Sequence, residues 1–215
     1  MEYMASLPDK AFDLAIVDPP YGLDKSSTNG AGKLKHRALN RLDTSWDVAP
    51  KLEYFVELRR VSVHQIIWGG NYFDLPPSRG FAVWDKKQYM PTFSRCEYAW
   101  ISMSVPSRIF EFDNASTDKI HPTQKPVALY RWLLKNYAKP GQRILDTHLG
   151  SGSIAIACDI EGFDLVGCEI DADYIKAARH RLAVHQSAPR LFEATPAGLQ
   201  QQLSLGDDVL SSDGT

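Results

Sequence analysis

RILDTHLGSGSIAIACDIEGFDLVGCEID, residues 143–171, is the stretch on which the architecture turns. Arg143 to Asp146 is a short apolar run ending in an acid, the pattern of a buried strand. Thr147 to Ser153 follows as a turn with two glycines, Gly150 and Gly152, which permit a tight bend and close approach of the backbone to a ligand. Small apolar residues after Ser153 read as a helix, and Asp164 to Glu169 as the next strand. That strand ends in a second acid, about 20 residues beyond the turn, the spacing at which such folds set a carboxylate against a ribose hydroxyl pair. Asp171 is placed to cap a last helix running to about His185. Strand, turn, helix and strand follow in this order, the grammar that upstream, over residues 11–68, suggests a βαβ unit and a parallel sheet.

The same grammar recurs upstream. Ala11 to Val17 is an apolar run that stops at Asp18-Pro19-Pro20-Tyr21, and prolines cannot continue a central strand. Pro50 opens a helix, and Val61 to Trp68 reads as a second buried strand, closed by Gly69-Gly70. Between them, Gly22 to Asp47 is too long for an ordinary connector. From Asn71 to about Thr117 the pattern is choppier, with strands expected at Phe81–Trp84 and Glu97–Ser102. His121-Pro122-Thr123-Gln124-Lys125-Pro126 leads into a helix from Val127 to Tyr137, ended by Pro140-Gly141. Beyond Pro189 the chain is rich in Gln, Ser, Asp and Gly, and a disordered tail is expected over 189–215.

The chain has 215 residues, 44% of them hydrophobic, which suits one folded domain. It has no apolar run long enough to span a bilayer, and Met1 to Lys10 lacks the apolar core of a signal peptide, so a cytoplasmic protein is expected. The three cysteines, Cys96, Cys158 and Cys168, are odd in number and have no CxxC spacing, so neither a metal site nor a disulfide framework is expected. A net charge of −2 does not advertise nucleic-acid binding. The charge is uneven, however. Lys25, Lys33, Lys35, Arg37 and Arg41 fall in a span without an acid, suited to a DNA backbone or equally to a solvated loop.

DPPY (18–21), HPTQKP (121–126), DTHLGSGS (146–153) and GCEID (167–171), in this order and at these spacings, resemble the amino-group DNA methyltransferases in which the catalytic segment precedes the cofactor segment. The resemblance covers roughly residues 9 to 185. It implies an α/β fold with a Rossmann-like methyltransferase sheet, circularly permuted, and a small target-recognition insert. The methyltransferase domain would be 1–188, with target recognition at 71–118 and a mobile loop at 22–46. Asp18, Pro19, Pro20 and Tyr21 would be catalytic and base-holding. Asp146, Thr147, Gly150, Ser151, Gly152 and Glu169 would line S-adenosylmethionine, with Thr123 and Lys125 near its methionine end. Double-stranded DNA is the implied partner. Lys33, Lys35, Arg37, Lys86, Lys87 and Arg95 are the residues expected to meet it.

The tetrad suits this chemistry. An exocyclic amino nitrogen of a base is a poor nucleophile because its lone pair is delocalised into the ring. To attack a sulfonium methyl it must become pyramidal, and it then gathers positive charge. The Asp18 carboxylate and the Pro19 carbonyl, both accepting from the NH2 group, stabilise that arrangement most at the transition state. Tyr21 offers a face on which an extruded base can stack. The family tendency for an aspartate at the first tetrad position points to N6 of adenine; N4 of cytosine and an adenine in RNA stay open. So does a reading of another class, a DNA-binding remnant without turnover.

The sequence departs from the family in two ways. Thr147-His148 replaces the usual Pro-Phe, and His148 is expected to pack. Relatives also carry a short edge strand ahead of the segment matching Met1 to Pro8, which would help to hold the cofactor's adenine. The fold is expected to survive without it.

Overall fold

The computed structural model describes residues 1–23, 47–89, 94–113 and 124–188. A four-residue helix, α1 (Glu2–Ala5), precedes the first strand, β1 (Phe12–Val17). Then come α2 (Leu52–Val61), β2 (Ser62–Trp68), a 3-10 turn at Gly70–Tyr72, β3 (Phe81–Asp85), β4 (Cys96–Ile101) and β5 (Arg108–Glu111). The C-terminal part adds α3 (Val127–Tyr137), β6 (Arg143–Asp146), α4 (Ser153–Glu161), β7 (Asp164–Gly167) and α5 (Ala172–Ser187).

All seven strands form one sheet in the order β5-β3-β4-β2-β1-β6-β7. β2, β1, β6 and β7 run parallel, as the two βαβ units require, while β4 is antiparallel to both β2 and β3. The α/β, Rossmann-like expectation holds. The four strands read at Ala11–Val17, Val61–Trp68, Arg143–Asp146 and Asp164–Glu169 stand within a residue or two of their expected bounds. Asp171 caps α5 as expected, its Oδ1 accepting the backbone N–H of Asp173 at 2.8 Å.

Period-2 alternation assigns each strand residue to one face of the sheet. Leu14, Ile16, Ile66, Trp68 and Ile144 pack against Leu129 and Leu133 of α3 and Ile154 of α4. Ala15, Val17, Ile67 and Leu145 face the other way, onto Tyr54, Phe55 and Leu58 of α2. Helices on both faces bury the central strands, which is why those strands carry continuous apolar runs.

This topology positions the site. β1 and β6 are direct neighbours in parallel, with Leu14 opposite Ile144 and Ala15 opposite Leu145. Their carboxyl ends therefore lie side by side, and the turns that follow, at Asp18 and at Thr147, leave the same edge of the sheet. In open α/β sheets that edge is where ligands bind.

Candidate active site

Asp18 is the first residue past β1. Its Oδ1 accepts the Tyr21 hydroxyl at 2.7 Å, and its Oδ2 pairs with the Lys125 ammonium at 2.5 Å. An ionised carboxylate has about four acceptor positions, so two contacts leave capacity for an incoming N–H donor. Pro19 is buried, holding the turn down. Tyr21 stacks on Tyr72 with ring centroids 5.0 Å apart, and Phe73 meets it edge-on. Gly69 makes room for it: a Cβ there would stand 2.2 Å from the Tyr21 ring. Burial and the neighbouring Asp18 raise the Tyr21 phenol well above its ordinary pKa, so it stays protonated and donates.

The second turn is laced to the end of β7. Cys168 N–H donates to the Asp146 carbonyl at 2.8 Å, and Leu149 N–H to the Cys168 carbonyl at 2.9 Å. Gly150 N–H donates to Glu169 Oε2 at 2.8 Å, and Asp171 N–H to Glu169 Oε1 at 2.9 Å. Each Glu169 oxygen thus has one backbone partner and can take another donor, such as a sugar hydroxyl. Gly150 and Gly152 both have positive φ, as the sequence suggested.

Other members of this turn have interior partners. Asp146 is buried and accepts the His148 backbone N–H at 2.9 Å. Burial pushes its carboxyl up to about 8, with Asp18 and Glu169 adding to the rise. Ser151 is buried, its carbonyl accepting from Arg181 at 2.6 Å. Gly152 lies against α5, where an added Cβ would meet the Ala178 Cβ at 2.8 Å.

A cavity of about 580 Å3 joins the two turns. Pro20 lines it from the first turn, Thr147 and His148 from the second and Cys168 from the end of β7. Tyr54 and Glu53 of α2 and Met1, Tyr3 and Met4 around α1 complete much of the wall. Its size suits a nucleoside-sized ligand. Thr147 Oγ1 lies 2.6 Å from the Tyr54 hydroxyl and 3.0 Å from His148 Nδ1. His148 also packs edge-on against Tyr54, and burial lowers its pKa to about 4, leaving a neutral ring at neutral pH. It packs, as expected, and it also forms part of the wall.

Lys125, expected near the methionine end of the cofactor, places its ammonium against Asp18, and also 3.0 Å from Glu97 Oε2. Lys86, expected at a DNA surface, is buried and pairs with Glu97 Oε1 at 2.6 Å, so its charge is taken up inside. Lys87 is more exposed, but its ammonium rests on Glu111 at 2.8 Å. Arg95 is exposed and lies over the Tyr89 ring at 4.6 Å. Lys33, Lys35, Arg37 and Thr123 lie outside the described residues, as do most of the 22–46 loop and the 189–215 tail.

Two residues of the site escaped the sequence reading. Tyr54 stands one position before the Phe55 that carries the apolar periodicity of α2. Glu97 did leave a signal. It shares strand parity with Ala99 and Ile101, both fully buried, so an acid stands on the inward face of β4.

Comparison with known proteins agrees with this geometry. Residues 84–180 match the family model for DNA methylases of the N6/N4 type. Over 81 residues the chain is 35% identical to the type II methyltransferase M.HpaI of Haemophilus parainfluenzae, an alignment that covers 36% of this chain and only 26% of that protein. Among solved structures, the M1.HpyAVI–SAM complex superposes with a TM-score of 0.55 at 20% identity, covering 84% of this chain and 92% of that one. PvuII DNA methyltransferase, described as cytosine-N4-specific, gives 0.57 at 12% identity, covering 88% and 84%. At these identities the structures share the fold. Residues 84–180 are thus similar to DNA methylases of the N6/N4 type, and the chain shares the fold of these solved DNA methyltransferases.

Proposed function

We propose that this protein methylates the N6 amino group of adenine in double-stranded DNA, with S-adenosylmethionine as donor. The observation that carries the reading is a cavity lined by Pro20, from the turn that follows Asp18, and by Thr147 and His148, from the turn that leads to Gly150. The residues present suit the cofactor: the cavity is nucleoside-sized, and Glu169, the residue after its lining residue Cys168, keeps acceptor capacity on both oxygens for a ribose diol. M1.HpyAVI was crystallised with SAM on the same fold. The cofactor's contribution is a methyl group on a sulfonium, which leaves as a thioether.

The chain's own residues act on the acceptor. Asp18, at the mouth of β1, accepts from the amino group of an extruded base and draws its nitrogen towards a pyramidal geometry. As the N–CH3 bond forms and the S–CH3 bond breaks, positive charge grows on that nitrogen, and the carboxylate stabilises it most at that moment. The amino group then loses one proton. For the base to stack on Tyr21, Tyr72 must yield its place or the base must take a free part of the ring. Arg95 and Tyr89 offer an exposed cation and ring to a nucleic acid. Lys33, Lys35 and Arg37 are proposed for its backbone.

Asp18 at the first tetrad position favours adenine. The fold does not discriminate, since it is shared with a cytosine-N4-specific enzyme. The test is to incubate the protein with methyl-labelled cofactor and unmethylated genomic DNA, digest to nucleosides and identify the labelled one. N6-methyladenine is expected, and Asp18→Ala should lower the rate at least a hundredfold. Label in N4-methylcytosine moves the assignment to that base. Cofactor binding without any labelled base means a remnant without turnover.

A further inference from the structure

Lys125 is an interior lysine with two carboxylates. Its side chain is 2% exposed, and its ammonium is enclosed by Asp18 Oδ2 at 2.5 Å, Glu97 Oε2 at 3.0 Å and the Trp68 ring at 5.1 Å. One carboxylate already neutralises an ammonium, so the second needs a reason. Glu97 belongs to none of the motif segments and stands on β4, opposite Trp84 of β3. It is itself shared, because Lys86 sits 2.6 Å from its other oxygen. The charges alternate along a line: Asp18, Lys125, Glu97, Lys86.

The consequence depends on what the reacting nitrogen feels. In a partly desolvated site, charges a few ångströms away act strongly. Asp18 with Lys125 alone sums to zero, so little negative charge would face the positive charge growing on the base. Glu97 restores a net negative charge around Lys125, and Lys86 lies one residue further from the reaction. Glu97 is only 22% exposed on its side chain, yet it stays ionised: burial opposes the charge, but Lys125 and Lys86 overcome this and hold its pKa at about 2.

We propose that Glu97 is a positioning residue of the methyl transfer: it neutralises Lys125, so that Asp18 presents a full negative charge to the base amino group. This rests on the methyltransferase reading above. It also ties the β3–β4 segment, expected to recognise the target, to the catalytic carboxylate, since Glu97 and Lys86 both come from it.

The test compares wild type, Glu97→Gln and Glu97→Asp with labelled cofactor and saturating unmethylated genomic DNA. Glu97→Gln should lower kcat about 10- to 100-fold and leave KM for DNA within about threefold. Glu97→Asp keeps the charge and should stay within about fivefold of wild type. The pH profile separates charge from packing. Both carboxylates raise the pKa of Lys125 against the effect of burial. Without Glu97 the lysine loses its proton at lower pH, which leaves Asp18 uncompensated. The Gln variant should therefore regain activity as pH rises through a range where wild type is flat.

Equal losses in Gln and Asp variants, or a Gln variant with unchanged kcat, overturn the proposal. If Glu97→Gln does not fold, the Asp variant decides, and a folded Asp variant that loses more than a hundredfold overturns it too. Wild type run in parallel keeps the two ideas apart: no transfer by wild type defeats the methyltransferase reading itself.

Discussion

Asp146, whose carboxyl accepts the His148 backbone N–H, and the His148 ring pull stability in opposite directions with pH. The Asp146 carboxyl titrates near 8 in the fold, chiefly because it is buried, against about 3.9 in an unfolded chain. Between those values the folded protein holds a proton that the unfolded chain has released, so stability falls as pH rises. His148, lowered to about 4 by burial, does the reverse. Between about 4 and 6.5 the unfolded chain binds the extra proton, and stability rises with pH. The two offset each other below about 6.5, and above it Asp146 acts alone. Wild type should therefore lose Tm from pH 6.5 to 8 at constant ionic strength. Asp146→Asn keeps an acceptor for the His148 N–H and should remove most of that loss. A wild-type Tm that climbs over this range would mean that Asp146 is ionised in the fold. At this scale the sequence was readable where the backbone itself is constrained, as at Asp18-Pro19-Pro20-Tyr21. The partners of Lys125 and Lys86 were not, because both meet an acid on a strand distant from Asp18 in the chain.

The two ends of α4 carry glycines of different character. Gly152 and Gly162 both have positive φ, near +72° and +75°. A side chain at Gly162 would meet nothing within 4 Å, whereas one at Gly152 would overlap the Ala178 Cβ of α5. Gly162→Ala should cost about 1–2 kcal/mol, the penalty of a left-handed residue alone. Gly152→Ala should cost roughly 1–3 kcal/mol more from overpacking, and denaturant melts of the two variants measure the difference. Equal losses would show that α5 stands off the glycine turn. Among the elements, strands with uninterrupted apolar runs were legible and so was every helix with a full apolar stripe. β5 was not. Its four residues, RIFE, begin and end with charges and remain largely exposed, so that pairing with β3 alone makes it a strand. α1 is a single turn with one buried residue, Met4, too short for any periodicity to show.

Across the whole molecule the sheet is covered unevenly. β2, β1 and β6 have strand neighbours on both sides and buried residues on both faces, while β7 pairs only with β6 among the described residues. Amides of Ile16, Ile66 and Leu145 should exchange with deuterium only on global unfolding, and those of Val166 and Ile109 at least tenfold faster. Protection at Val166 equal to that at Ile16 would reveal a further cover over the β7 edge. The layer architecture followed from the βαβ reading of residues 11–68, because parallel strands need helices on their faces. The antiparallel place of β4 between β2 and β3 did not, since nothing in its apolar run encodes direction. The central ladder joins Leu14 to Ile144, 130 residues apart in the chain. During synthesis on the ribosome, a nascent polypeptide that has displayed Asp18 must wait for 129 further residues before Thr147 emerges beside it. A nascent chain that ends before β6 therefore has no cleft between these two turns.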